Sequence, residues 1–143
     1  MILPDVNVLV YALRPDDERQ LRYRAWVDEL RRGSDELALL DLALLGVVRI
    51  VTNPRIYREP TPTGTALGFV RQLRRAERAR WISSGPQTWG ALEDLVSEDP
   101  DLRGAHVPDA YLAATAIAHG ARLATAHRGF ARFPGLRWFD PAA

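Results

Sequence analysis

Short apolar runs alternate with longer stretches of helical spacing along nearly the whole chain, and this alternation leaves few architectures open. Ile2-Leu3 reads as a buried strand. Val6–Leu13 follows as a helix, broken at Pro15-Asp16-Asp17, and Glu18–Arg32 resumes it until Gly33. Leu37–Leu40 is a second strand, and Leu42–Val51 is a buried helix that Asn53-Pro54 ends. Tyr57–Gly64, with Pro60 and Pro62, is a loop. Thr65–Arg80 then places Leu67, Val70 and Leu73 at helical spacing, with Arg71, Arg75 and Arg78 along another face. Trp81-Ile82 is a short strand and Pro86–Val96 a helix. Val107-Pro108 opens an Ala-rich helix whose body runs from Ala110 to His119 and stops at Gly120. Arg122–Thr125 and Arg137–Phe139 are the last strands. Such alternation predicts an α/β sandwich with a mainly parallel central sheet flanked by helices. With 143 residues and no repeat or linker, residues 1–143 are expected to form a single domain.

The absence of cysteine removes disulfides, thiolate zinc sites and cysteine nucleophiles together, leaving carboxylates, hydroxyls and three histidines for chemistry. No apolar run approaches the roughly 18 residues of a membrane span. Met1 leads directly into Ile2-Leu3-Pro4-Asp5 without a cationic leader, so a cytoplasmic address and no membrane partner are expected. The net charge of +1 conceals an uneven distribution. Eight of the 19 Arg residues fall within Arg49–Arg80 against only Glu59 and Glu77. Arg71, Arg74, Arg75 and Arg78 are candidates for contacting nucleic-acid phosphates, although a solvated helix face explains the same charges.

In an open parallel sheet, ligands bind beyond the carboxyl ends of the strands. Asp5 follows the first strand, Asp41 the second, and His127 the strand ending at Thr125, while Asp109 lies in the first turn of the Ala-rich helix. Each acid also suits a helix amino terminus, so capping explains any one of them alone. Three carboxylates gathered at one mouth would repel one another unless a cation neutralised them. Mg²⁺ or Mn²⁺, which prefer oxygen ligands and retain waters, are the expected residents. Asn7 is placed to orient Asp5 or a water, and a turn-stabilising role is equally open. Tyr57, Trp81 and Trp89 are read chiefly as packing residues, and His106 and His119 as structural.

Four blocks carry a resemblance. Met-Ile-Leu-Pro-Asp5-Val-Asn7-Val-Leu-Val-Tyr-Ala resembles the opening of PIN-domain ribonucleases, specifically the VapC toxins of toxin–antitoxin pairs. Gly46-Val-Val-Arg-Ile-Val-Thr-Asn53-Pro54-Arg-Ile-Tyr57, Val107-Pro108-Asp109-Ala-Tyr-Leu-Ala-Ala and Thr125-Ala-His127-Arg-Gly-Phe130-Ala-Arg-Phe133-Pro-Gly-Leu are similar to further blocks of its actinobacterial branch. The resemblance implies a PIN-like three-layer sandwich and a Mg²⁺- or Mn²⁺-dependent endoribonuclease. It also implies a homodimer and silencing by a VapB-type antitoxin. By position, Asp5 and Asp109 match the first and third acids of the family site, and Asp41 takes the place of the second, usually a Glu or Asp. The fourth position, commonly Asp, is His127 here, with Thr125 supporting it.

The expected chemistry is phosphodiester hydrolysis by metal-activated water, with Asp5, Asp41 and Asp109 as catalytic ligands and His127 as a further one. The expected substrate is an unpaired loop of structured RNA such as tRNA or rRNA. Acyl-phosphate enzymes that begin with a similar Asp typically use a Lys, and this chain has none. Phosphate-binding Gly-rich motifs are absent too. The remaining alternative is a weakened module acting mainly by binding a protein or RNA partner.

Overall fold

The computed structural model describes residues 1–143. Its strands are two or three residues long: β1 (Ile2–Pro4), β2 (Leu37–Leu39), β3 (Ala79–Trp81), β4 (Arg122–Ala124) and β5 (Trp138–Phe139). All ladders are parallel, in the order β3-β2-β1-β4-β5, with Leu3 opposite Leu123 and Ala38 opposite Arg80. Because every strand points the same way, the carboxyl ends form a single rim running from Trp81 past Leu39 and Pro4 to Ala124 and Phe139.

Side chains alternate across these strands, as the twofold period of extended chain requires. Ile2, Leu37, Leu39 and Ala124 enter one core with residues of α1 (Val6–Leu13), α2 (Gln20–Arg32), α3 (Asp41–Val51) and α4 (Thr63–Arg74). Leu3, Ala38 and Leu123 enter the opposite core with α5 (Pro86–Glu98), α6 (Val107–Ala118) and the aromatic rings of Phe130 and Phe133. The result is a three-layer sandwich with the sheet in the middle. On α6, Ala110, Ala113, Ala114 and Ala116 are fully buried, and their small side chains allow the helix a close approach. Gly120 ends it with φ +64°, a left-handed conformation that glycine adopts without strain. No helix is long and apolar enough to cross a membrane.

The expected helix over Thr65–Arg80 is the main departure. The helix runs from Thr63 to Arg74, and Ala79–Trp81 is already strand. The run Arg75-Ala-Glu-Arg-Ala-Arg80 has no helix breaker, but Ala79 to Trp81 must lie extended to pair with Leu37 to Leu39. Tertiary pairing therefore overrides local propensity. Arg78 consequently leaves the helix and, with Arg80, faces Glu36 at 3.9 and 3.5 Å.

Candidate active site

Asp5 closes β1 and caps α1. Its Oδ1 accepts the Val6 backbone N–H at 2.7 Å, which satisfies an amide that no helical carbonyl reaches. Its Oδ2 accepts from the Thr125 hydroxyl at 2.7 Å and from Asn7 Nδ2 at 2.9 Å. Asn7 in turn accepts the Ala126 backbone N–H through Oδ1, at 3.1 Å. The Thr125 oxygen accepts from the His127 backbone N–H at 3.0 Å. This ring of hydrogen bonds ties the ends of the adjacent parallel strands β1 and β4, and it leaves Asp5 only 7% exposed.

Burial pushes the Asp5 carboxyl above its ordinary value. The Thr125 and Val6 hydrogen bonds act in the opposite direction; Asp109 raises it further and His127 lowers it. The charge of Asp109 thus reaches Asp5. Asp109 occupies the first turn of α6, where its Oδ2 lies 3.5 Å from His127 Nδ1, and both side chains are partly open to solvent. The His127 ring also meets the Phe130 ring edge-on, with centroids 5.6 Å apart. The site therefore sets a buried, hydrogen-bonded carboxylate within electrostatic reach of a partly exposed carboxylate–imidazole pair.

Asp41 also sits on the carboxyl rim, as the first residue of α3, but its side chain is exposed. It lines a neighbouring groove of about 790 Å³ together with Leu42, Leu45, Leu67, Val70, Arg74, Trp81 and Tyr111. No three Asp, Glu or His side chains gather into a cluster able to hold a metal ion. Asp109 and His127 form a pair whose charges act on Asp5, and Asp41 stands apart from them by one strand. The donors present are oxygens with one nitrogen, a chemistry that fits Mg²⁺ or Mn²⁺ with several retained waters.

The four candidate arginines do not share one surface. Arg71 and Arg75 line a shallow depression with Arg24 of α2, Arg74 borders the apolar groove, and Arg78 faces Glu36. Trp81 and Trp89, read from sequence as packing residues, are instead more than half exposed. The Trp89 ring meets Tyr111 edge-on at 5.9 Å. Tyr57 stacks under the Arg14 guanidinium at 3.8 Å. His119 ends α6 with Nδ1 2.9 Å from the Thr115 carbonyl, while His106 is exposed. The contribution of Tyr111 to the groove had no sequence signal, since an aromatic two residues from Asp109 reads equally well as core.

The PIN domain model matches residues 2–136. The chain belongs to the PIN domain family. Ribonuclease VapC43 of Mycobacterium tuberculosis is 41% identical over 141 residues, covering 99% of this chain and 95% of that relative. Among solved structures, VapBC2 from Rickettsia felis, bound to a DNA fragment from its promoter, superposes with a TM-score of 0.70 at 19% identity, over 98% of each chain. The Mycobacterium tuberculosis toxin VapC20, described as cleaving the sarcin–ricin loop, superposes with a TM-score of 0.64 at 16% identity, covering 96% of this chain and 99% of that one. The expected PIN fold is thereby established, and the chain's relatives are VapC ribonucleases.

Proposed function

We propose that this PIN-domain protein is a divalent-cation-dependent endoribonuclease and the toxin of a VapBC-type pair. The observation that carries this reading is Asp5, a buried carboxylate held by Thr125, Asn7 and the Val6 amide and facing Asp109. Burying a carboxylate with its ionised form disfavoured is costly, and such an arrangement suits a group reserved for a positive charge. Asp5 and Asp109 would hold Mg²⁺ or Mn²⁺, with His127 as a nitrogen donor beside them, and Asp41 would have to swing in from the neighbouring groove to join them. A bound divalent cation supplies charge to offset the phosphate and makes water a better nucleophile.

The chain's own residues divide the remaining work. Thr125 and Asn7 fix the Asp5 carboxylate so that it need not reorganise. Arg71, Arg75 and Arg24 form a basic depression suited to the RNA backbone, and Arg74 borders the groove that Asp41 lines. The sarcin–ricin loop cut by VapC20 and the need for unpaired bases support an RNA loop, in tRNA or rRNA, as substrate. The VapB-type antitoxin is the expected silencing partner, and the similar Rickettsia felis structure is of a VapBC pair. The groove bordered by Leu42, Leu45, Leu67 and Trp81 exposes large apolar side chains, and such a surface supports protein contact, including a homodimer.

The test is cleavage of total cellular RNA with Mg²⁺, with Mn²⁺ and with a chelator, followed by mapping of the new ends. Discrete ends that require the cation and vanish in Asp5→Asn support the reading. Soluble, folded protein that leaves RNA intact under every condition, yet still binds a co-expressed antitoxin, would favour a binding module instead.

A further inference from the structure

In the chain between His127 and the buried Phe130 lies Gly129, whose lack of a side chain has a specific neighbour. A Cβ built on Gly129 would stand 2.7 Å from His127 Nε2 and 2.9 Å from Cε1, and the third nearest atom, at 3.4 Å, belongs to the same ring. The backbone gives no separate reason for glycine, because the positive φ angles belong to Gly104, Gly120 and Gly135. Gly129 is also exposed, so the core does not demand a small residue. Its main consequence is room for the imidazole.

We propose that Gly129 is a positioning residue, whose bare Cα forms the berth in which the His127 imidazole lies against Asp109. Three contacts define that berth. Asp109 Oδ2 stands 3.5 Å from Nδ1, the Phe130 ring edge supports the imidazole at 87° between planes, and the Gly129 backbone bounds the Nε2 side. The chain is fixed on both sides of this berth, since the His127 amide donates to Thr125 and Phe130 is 1% exposed. A methyl group at 129 would meet the far end of a flexible side chain, so the ring would yield and the fold would persist. The imidazole would swing into solvent and away from Asp109. This inference rests on the proposed cation site for its functional consequence, but not for its geometry.

The experiment is a four-member cycle: parent, Gly129→Ala, His127→Asp and the double variant, because Asp lacks the ring atoms that a Cβ at 129 would strike. In metal-free protein, nuclear Overhauser contacts between the His127 and Phe130 rings report the berth directly. Mn²⁺ affinity, read from the electron paramagnetic resonance signal of free Mn²⁺, reports its consequence. Gly129→Ala should abolish the ring contacts at unchanged Tm and weaken Mn²⁺ binding roughly tenfold, the lower end of what loss of an orienting partner costs. In the His127→Asp background the same substitution should change nothing. Persistent ring contacts in Gly129→Ala, or an Mn²⁺ affinity left unchanged or lowered equally in both backgrounds, overturn the proposal. Should the parent bind no Mn²⁺, the cation reading fails on its own, and the metal-free spectrum alone decides the positioning.

Discussion

At the amino end of α1 the Asp5 carboxylate is 7% exposed, and at its carboxyl end Arg14 is 5% exposed. Both charges suit the helix dipole at their own end. Their surroundings differ sharply. Arg14 makes a two-pronged ion pair with Asp16 at 2.7 and 2.9 Å, donates to the Glu59 carbonyl and the Thr61 hydroxyl, and lies 3.8 Å over the Tyr57 ring. The neighbouring carboxylate holds its guanidinium more firmly charged than usual. Asp5 receives three hydrogen bonds but lies within ion-pair distance of no basic side chain. One charge is answered by the protein and fastens the 53–62 segment to α1. The other is oriented by hydrogen bonds and paired with no basic side chain.

Substitutions that separate the two ends test this contrast most severely. Asp5→Asn and Asp109→Asn should each reduce RNA cleavage by more than the roughly 10–100-fold that loss of an orienting hydrogen-bond partner costs, with circular dichroism unchanged. Parental rates in both variants at limiting Mg²⁺ and Mn²⁺ would remove these acids from the site.

Thr125→Val should lower cleavage by about 10–100-fold and also reduce stability by about 1–3 kcal/mol, because a buried carboxylate loses a donor. Denaturant melts and single-turnover rates should therefore move together. A variant that loses stability but cuts at the parental rate would show that Thr125 supports the fold and not the chemistry.

Arg14→Met tests the opposite end. It should cost about 1–3 kcal/mol through the unpaired Glu59 carbonyl and Thr61 hydroxyl, while kcat at a temperature where the variant is folded stays unchanged. A specific fall in kcat would mean that the clasp at the far end of α1 also governs the mouth.

The smallest effect concerns pH. The Asp5 carboxyl is raised above its ordinary 3.8 in the folded protein, so the unfolded chain releases this proton first as pH rises. The native state then binds more protons than the unfolded state, and Asp5 makes stability fall with rising pH from about that value until its folded carboxyl has ionised. Asp5→Asn should flatten this part of the urea midpoint–pH curve. An unchanged curve would place the acid sensitivity elsewhere.

The fold was largely legible because its signals are local: strand runs bounded by helix caps, an Ala-rich helix closed by Gly120, and Asp residues following strands. The α4–β3 boundary was not, since nothing within Arg75–Arg80 records that Ala79 must meet Leu37. At the candidate site, Asp5 and Thr125 were legible from their places at strand ends and Asn7 from its spacing after Asp5, and the structure links the three by hydrogen bonds. The separate situation of Asp41 was not legible, because position on the rim does not specify which way a side chain leaves a helix start. Nor was the Arg14 clasp, whose partners Glu59 and Thr61 lie 45 and 47 residues away.

The strand order has a consequence for when this protein becomes active. Thr125, which holds Asp5, lies 120 residues further along the chain, and β1 has β4 as its neighbour on that side. During synthesis at roughly 5–20 residues per second, some 6–24 s separate the first appearance of Asp5 from that of its partner. Throughout that interval β1 lacks its β4 neighbour, and the hydrogen-bonded ring around Asp5 cannot close. With Asp5 as the proposed cation ligand, the ribonuclease would stay unarmed beside the ribosome that makes it until nearly the whole chain has emerged.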